Sequence, residues 1–165
     1  MKSYLVTLAS DHDSGEVVSR ALTDCLADGA RLVAIFIARL QVNIGVSRKL
    51  MESSFLGQAQ TREMATEIKK STLQLGQQRL QQIESEAESF GVECETNLVN
   101  GSFHEQTLVA AREGDIARIY ISSDNRNVIS RLFLRSEVDT VADGANCDVI
   151  VVDGAFESGA AGSDG

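Results

Sequence analysis

The sequence predicts a single α/β domain built on an open, five-stranded, mostly parallel sheet with helices on both faces. Three observations carry this reading. Short, nearly continuous apolar runs alternate with stretches whose apolar residues recur at helical spacing, the pattern of parallel strands covered by crossover helices. Five such runs and four helical stretches fall within residues 1–153. A chain of 165 residues buries about two-thirds of its unfolded surface in one core, so neither a second domain nor a disulfide framework is required.

Tyr4 to Ala9 (YLVTLA) reads as the first strand, apolar on both faces. From Ser14, residues Val17, Val18, Ala21, Leu22, Cys25 and Leu26 draw one stripe on a helix, which Gly29 ends. Arg31 to Ala38 (RLVAIFIA), β-branched and aromatic, completes a βαβ unit. Residues 39–57 hold to neither period; their scattered apolar side chains suit a connection over a ligand mouth or an interface. Gln58 to Phe90 reads as one long helix, because Leu73, Gly76, Leu80, Ile83, Ala87 and Phe90 step by 3, 4, 3, 4 and 3 along one seam. That seam packs on the sheet or, less simply, on a partner helix.

After Gly91, Val92 to Val99 (VECETNLV) alternates apolar with polar and so suits an edge strand with one wet face. Ser102 and Glu105 have capping-box spacing, which starts a helix running to Gly114. Ile116 to Ser122 (IARIYIS) is the fourth strand; a helix is expected around Ser130 to Asp143, and Cys147 to Val152 supplies the fifth strand. The small, acidic tail over residues 154–165 is expected to be disordered.

Charge and cysteine usage remove several function classes. With 15 Lys and Arg against 24 Asp and Glu the net charge is −9, so nucleic acid and anionic lipid are repelled by the protein as a whole. Cys25, Cys94 and Cys147 form no CxxC pair and read as small buried hydrophobes, with no metal site. The N-terminus lacks the long apolar segment of a signal peptide, and no apolar run approaches membrane-spanning length. A cytoplasmic protein is expected.

In open parallel sheets ligands bind outside the carboxyl ends of the strands, where the strand order reverses. The ends of strands one and four are therefore where a site is expected. Around them the residues carry a resemblance. LVTLASDHDSGEVVSRAL, ESFGVECETNLVNGSFHEQTLVAARE and, most specifically, IYISSDNRNVISRLFLRSEVDTVADGANCDVIVV resemble a universal stress protein domain over residues 3–153. The resemblance implies a Rossmann-like fold of the adenine nucleotide alpha hydrolase type.

It also implies a nucleotide site whose residues are changed here. Nucleotide-binding members share a phosphate loop of spaced glycines closed by Ser or Thr; those places hold Ser122, Asn125, Arg135 and Ser136. Such glycines let backbone N–H groups close on phosphates, and a Cβ obstructs that approach. Where ATP-binding members have an Asp at the end of the first strand, this chain aligns Ala9, with Asp11 displaced by two residues. The departures resemble the universal stress protein A class, which lacks ATP binding, so no cofactor is expected and ATP is disfavoured.

Arg126, Arg131 and Arg135 nevertheless fall within one stretch without an acid. They either pair with nearby carboxylates, as Arg135 with Asp139, or converge on an anion beside a helix N-terminus. Asp11, His12 and Asp13 read as a solvated loop and His104 as an exposed residue of a first helical turn; no nucleophile has an activating partner at a recognisable spacing. No catalytic residue is assigned.

The fifth strand, with Val149, Ile150, Val151 and Val152, is an apolar sheet edge that invites pairing with a second copy, as the resemblance also implies. The expectation is a non-catalytic homodimer that acts through an unidentified protein partner during stress. The alternatives are a nucleotide or anion sensor using residues 122–136, and a regulatory subunit docking a transporter or kinase through residues 39–57.

Overall fold

The computed structural model describes residues 1–10, 15–38, 58–123 and 138–153. The apolar runs become strands because helices cover both of their faces. β1 (Ser3–Ala9) is buried along its whole length, and β2 (Arg31–Ala38) is buried from its second residue on. β3 (Cys94–Asn100), β4 (Ile116–Ser123) and β5 (Asp148–Asp153) complete a five-stranded sheet in the order β3-β2-β1-β4-β5, every pair parallel. The sequence reading of an open parallel sheet holds, with β3 and β5 at the two edges.

Between the strands run α1 (Gly15–Asp28), α2 (Gln58–Phe90) and α3 (Phe103–Glu113); residues 138–144 are also helical and precede β5. Alternation along β1 sends Tyr4, Val6 and Leu8 toward α1 and α2, and Leu5 and Ala9 toward α3 and Val141. The helix ends follow their residues. Gly29 and Gly91 take φ of +65° and +71°, the left-handed turn that closes α1 and α2 and that a Cβ disfavours. Ser102 caps α3, its Oγ accepting from the Glu105 amide at 3.3 Å.

The seam on α2 is core packing. Gly76, Leu80, Ile83 and Ala87 are buried against β2 and β3, and Ile83 has no exposed surface. Burying a side chain of that size stabilises by about 1.5–3 kcal/mol. Met64, Ile68 and Leu75 on the same helix stay exposed.

Below α1, a polar cluster joins the helix to the sheet. The Tyr4 hydroxyl donates to Asp28 Oδ2 at 2.5 Å and the Tyr120 hydroxyl to Asp24 Oδ2 at 2.6 Å. Arg118 donates to the Tyr120 oxygen at 3.2 Å, lies 3.6 Å from Asp24 and 3.8 Å from Asp28, and stacks 4.8 Å from the centre of the Tyr4 ring. The bond to Asp28 raises the Tyr4 hydroxyl above its ordinary range, and burial raises that of Tyr120.

Some expectations shift. Leu26, assigned to the buried stripe, is 58% exposed. At 100° per residue it lies about 110° from the centre of the face drawn by Val17, Val18, Ala21, Leu22 and Cys25. Val92 belongs to the end of α2, its amide donating to the Ala87 carbonyl, so β3 starts two residues later than its alternation implied. His104 is half-buried, not exposed. Cys25 is buried, while Cys94 and Cys147 are half-buried. Residues 39–57, the Asp11–Asp13 group and the tail 154–165 lie outside the described residues.

Candidate functional site

The two central strands part at their carboxyl ends. The ladder between β1 and β4 stops at Thr7 and Ile121, whereas β1 continues beside β2 to Ala9 and Ile37, and β4 beside β5 to Ser123 and Asp153. A fork therefore opens between Leu8–Ala9 and Ser122–Ser123. It lies where strand order reverses, since the chain builds outward from β1 through β2 and β3 and then crosses to β4 and β5.

Two of the sequence-derived site residues flank this fork with side chains on opposite faces of the sheet, Ala9 on the α3 side with Leu5 and Ser122 on the α1 side with Tyr120. Ala9 closes β1 with no exposed surface and offers only a methyl group; Ser122 near the end of β4 is 1% exposed. Asn125, Arg126, Arg131, Arg135 and Ser136 lie outside the described residues. Neither Ala9 nor Ser122 is charged, so the described part of the fork supplies hydrogen-bonding groups without a carboxylate.

Thr7, at the root of the fork, was not singled out by the sequence reading. It is fully buried, and its Oγ1 is the one buried side-chain oxygen without a hydrogen-bond partner among the described residues. The available signal was a single hydroxyl in the run YLVTLA. Such a group destabilises by about 1–3 kcal/mol when left unpaired.

The cysteines are poor nucleophiles. Burial pushes the Cys25 thiol up to about 12, with the Asp24 charge adding to the effect, and the Cys94 thiol up to about 11; Cys147 is raised for the same reason. Among the described residues no three His, Cys, Asp or Glu side chains are grouped to hold a metal ion. No helix there is long and apolar enough to cross a membrane.

At the β5 edge, Val149, Ile150 and Val152 are half-buried and Val151 is 45% exposed. Ile150 and Val152 lean on the α1 side of the core and Val149 on the α3 side.

An all-parallel five-stranded sheet wrapped by helices, with its fork between β1 and β4, defines an open α/β protein of the kind that receives ligands at a strand-order switch. The model of the universal stress protein family matches residues 1–153, and the chain belongs to that family. Among solved structures it is similar to the universal stress protein UspA from Lactobacillus plantarum, with a TM-score of 0.68 at 17% identity over 92% of this chain and 97% of that one. A universal stress protein in complex with cAMP gives a TM-score of 0.58 at 18% identity, covering 92% of this chain and 97% of that one. The universal stress protein from Archaeoglobus fulgidus in complex with dAMP gives 0.53 at 18% identity, with 92% and 98% covered. Among curated proteins no sequence matches the chain.

Proposed function

We propose that the chain is a non-catalytic, dimeric regulatory protein of the stress response that does not bind ATP in the ordinary way. The pair of residues at the fork carries this reading. The Ala9 side chain has no group with which to accept a hydrogen bond from the sugar or base of a nucleotide, and Ser122 adds a Cβ where a phosphate-hugging turn favours glycine. The sequence extends the same pattern to Asn125 and Arg135. Association is supported by the β5 edge, unpaired among the described residues, where Val151 exposes an apolar side chain that a two-fold partner strand would cover.

Calorimetric titration of the purified protein with ATP tests the first part, after checking for 260 nm absorbance released on denaturation. No saturable heat is expected from the wild type. Micromolar binding would refute the reading. Sedimentation of wild type and Val151→Asp tests the second part: the wild type is expected as a dimer and the variant as a monomer.

A second reading, a nucleotide or anion sensor built on Arg126, Arg131, Arg135 and Ser136, is favoured by one observation. Proteins of the same fold have been seen with cAMP and dAMP. Titration with AMP and cAMP separates the two readings, and binding that is lost in Arg131→Ala would support the sensor.

A further inference from the structure

Among the described residues β3 is a sheet edge, and its one guard against pairing is the charge of Glu95. Its seven residues, CETNLVN, contain no proline and no lysine, and its register with β2 shows no bulge. The Glu93 carbonyl accepts from the Leu32 amide on the inner side, so the parallel pattern turns the main-chain groups of Cys94, Thr96, Leu98 and Asn100 outward. Those groups form a template about 20 Å long for an added strand.

Beside this edge, on the face that carries α3, lies a groove of about 410 Å³. Among the described residues α3 lies mainly over β4, β1 and β2, which leaves Glu95 and Asn97 of β3 exposed on that face. Val33, Ile35 and Val99 make its apolar floor, and Val109 of α3, 41% exposed, forms part of its wall. The rim is acidic. Glu95 and Glu113 line the groove and Glu93 stands next to it, against one cation, Arg31, whose Nη1 lies 3.6 Å from Glu95 and 3.9 Å from Glu93. Among the described residues the Glu113 carboxylate has no cationic partner.

We propose that the β3 edge and this groove form a docking site for an extended, basic segment of a partner protein, bound as a sixth strand. The chemistry of the two faces selects the occupant. Side chains of an added strand alternate between the faces of the sheet. On the α3 face they meet Glu95 and Glu113 across an apolar floor, which suits Lys, whose stem covers the floor while its ammonium reaches the rim. On the other face they meet Cys94 and Leu98, which pack on the core and favour Val or Ile. The recognised pattern is basic alternating with β-branched. The inference extends the reading that the protein works through protein contacts, and it depends on neither nucleotide binding nor dimerisation.

The test uses the full chain and fluorescein-labelled eight-residue peptides read by anisotropy. A peptide alternating Lys with Val is expected to bind saturably and to weaken with added salt. The same peptide with every backbone amide N-methylated, and a peptide alternating Glu with Val, are expected not to bind. Glu95→Gln with Glu113→Gln is expected to weaken binding about tenfold, since each removes one exposed ion pair. Glu63→Gln with Glu88→Gln, exposed on α2, changes the net charge equally and is expected to leave it unchanged. Absence of saturable binding by the Lys–Val peptide, equal weakening by both pairs of substitutions, or binding of the N-methylated peptide would each overturn the proposal. The Val151→Asp variant is expected to bind as the wild type does, which keeps this result separate from the dimer reading.

Discussion

Gly76 offers a test of how tightly α2 is seated, because two effects of known size oppose each other there. Glycine inside a helix is about 0.8–1.0 kcal/mol less favourable than alanine, so propensity alone predicts that Gly76→Ala stabilises. The packing predicts otherwise. A Cβ at this position would lie 2.7 Å from Leu98 Cδ1, 2.7 Å from Phe36 Cδ1 and 3.1 Å from Phe36 Cε1. Carbon atoms rest at about 3.5–4.0 Å, so each neighbour has to retreat by roughly 1 Å.

Leu98 can yield, since it sits half-buried on an edge strand and its methyl groups rotate. Phe36 cannot, because it is 1% exposed within the cluster that holds Leu8, Leu80 and Ile83. Overpacking of such a site destabilises by about 1–3 kcal/mol, which exceeds the gain in propensity. The expected result is a net loss of about 1 kcal/mol in urea unfolding followed by circular dichroism. Phe36→Leu shortens the obstructing ring, so in that background Gly76→Ala is expected to be neutral or stabilising, a coupling of about 1–2 kcal/mol. Stabilisation by Gly76→Ala in the wild type, or simple additivity of the two changes, would refute the steric argument.

Three further outcomes are expected. Because the Cys25 thiol is held protonated up to about 12 in the fold, its contribution is complete below its ordinary value of 9.0 and is lost as pH rises toward 12. Between pH 7.5 and 10 in the presence of reductant, the wild type should thus lose about 1 kcal/mol more than Cys25→Ala; equal losses would refute the assignment. Tyr120→Phe, which deletes the hydroxyl between Arg118 and Asp24, is expected to destabilise by about 2 kcal/mol in the same unfolding assay. Thr7→Val removes an unpaired buried oxygen at nearly constant shape and is expected to stabilise by about 1 kcal/mol; a loss of stability would show that the hydroxyl has a partner in solution.

How much of this was legible depended on whether the cause was local. The α2 seam could be read at its helical spacing, and the bounds of β2 and α2 coincide with the runs that predicted them. The Ser102 cap was legible because its partner stands three residues away. Leu26 misled because a stripe on a helix has two margins, and only tertiary packing decides which margin is covered. The cluster of Tyr4, Asp24, Asp28, Arg118 and Tyr120 had no signal at all: it joins three separate elements, and Arg118 within IARIYIS resembles any polar residue of a strand. The fork at Thr7 was legible as a region, since alternation of strands and helices implies a strand-order switch, but not as the residue at which the ladder ends.

The two proposed contacts use opposite edges of one sheet, and their geometry links them. An edge can hold one added strand, so a dimer closed through β5 consumes that edge in both protomers and leaves β3 as the outer strand on each side. Pairing two five-stranded sheets gives ten strands at a spacing of about 4.8 Å, which sets the two β3 edges roughly 43 Å apart. A monomer presents one such edge and a dimer presents two. A partner with two basic segments on a linker able to span that distance would then bind the dimer more tightly than the monomer, with the gain set by effective concentration and not by any new contact. The compositions of the two edges reinforce this division. β5 offers four consecutive apolar residues, Val149 to Val152, with its acids Asp148 and Asp153 at the strand ends, whereas the β3 edge carries Glu95 beside the carboxylates of Glu93 and Glu113 and so suits a basic partner.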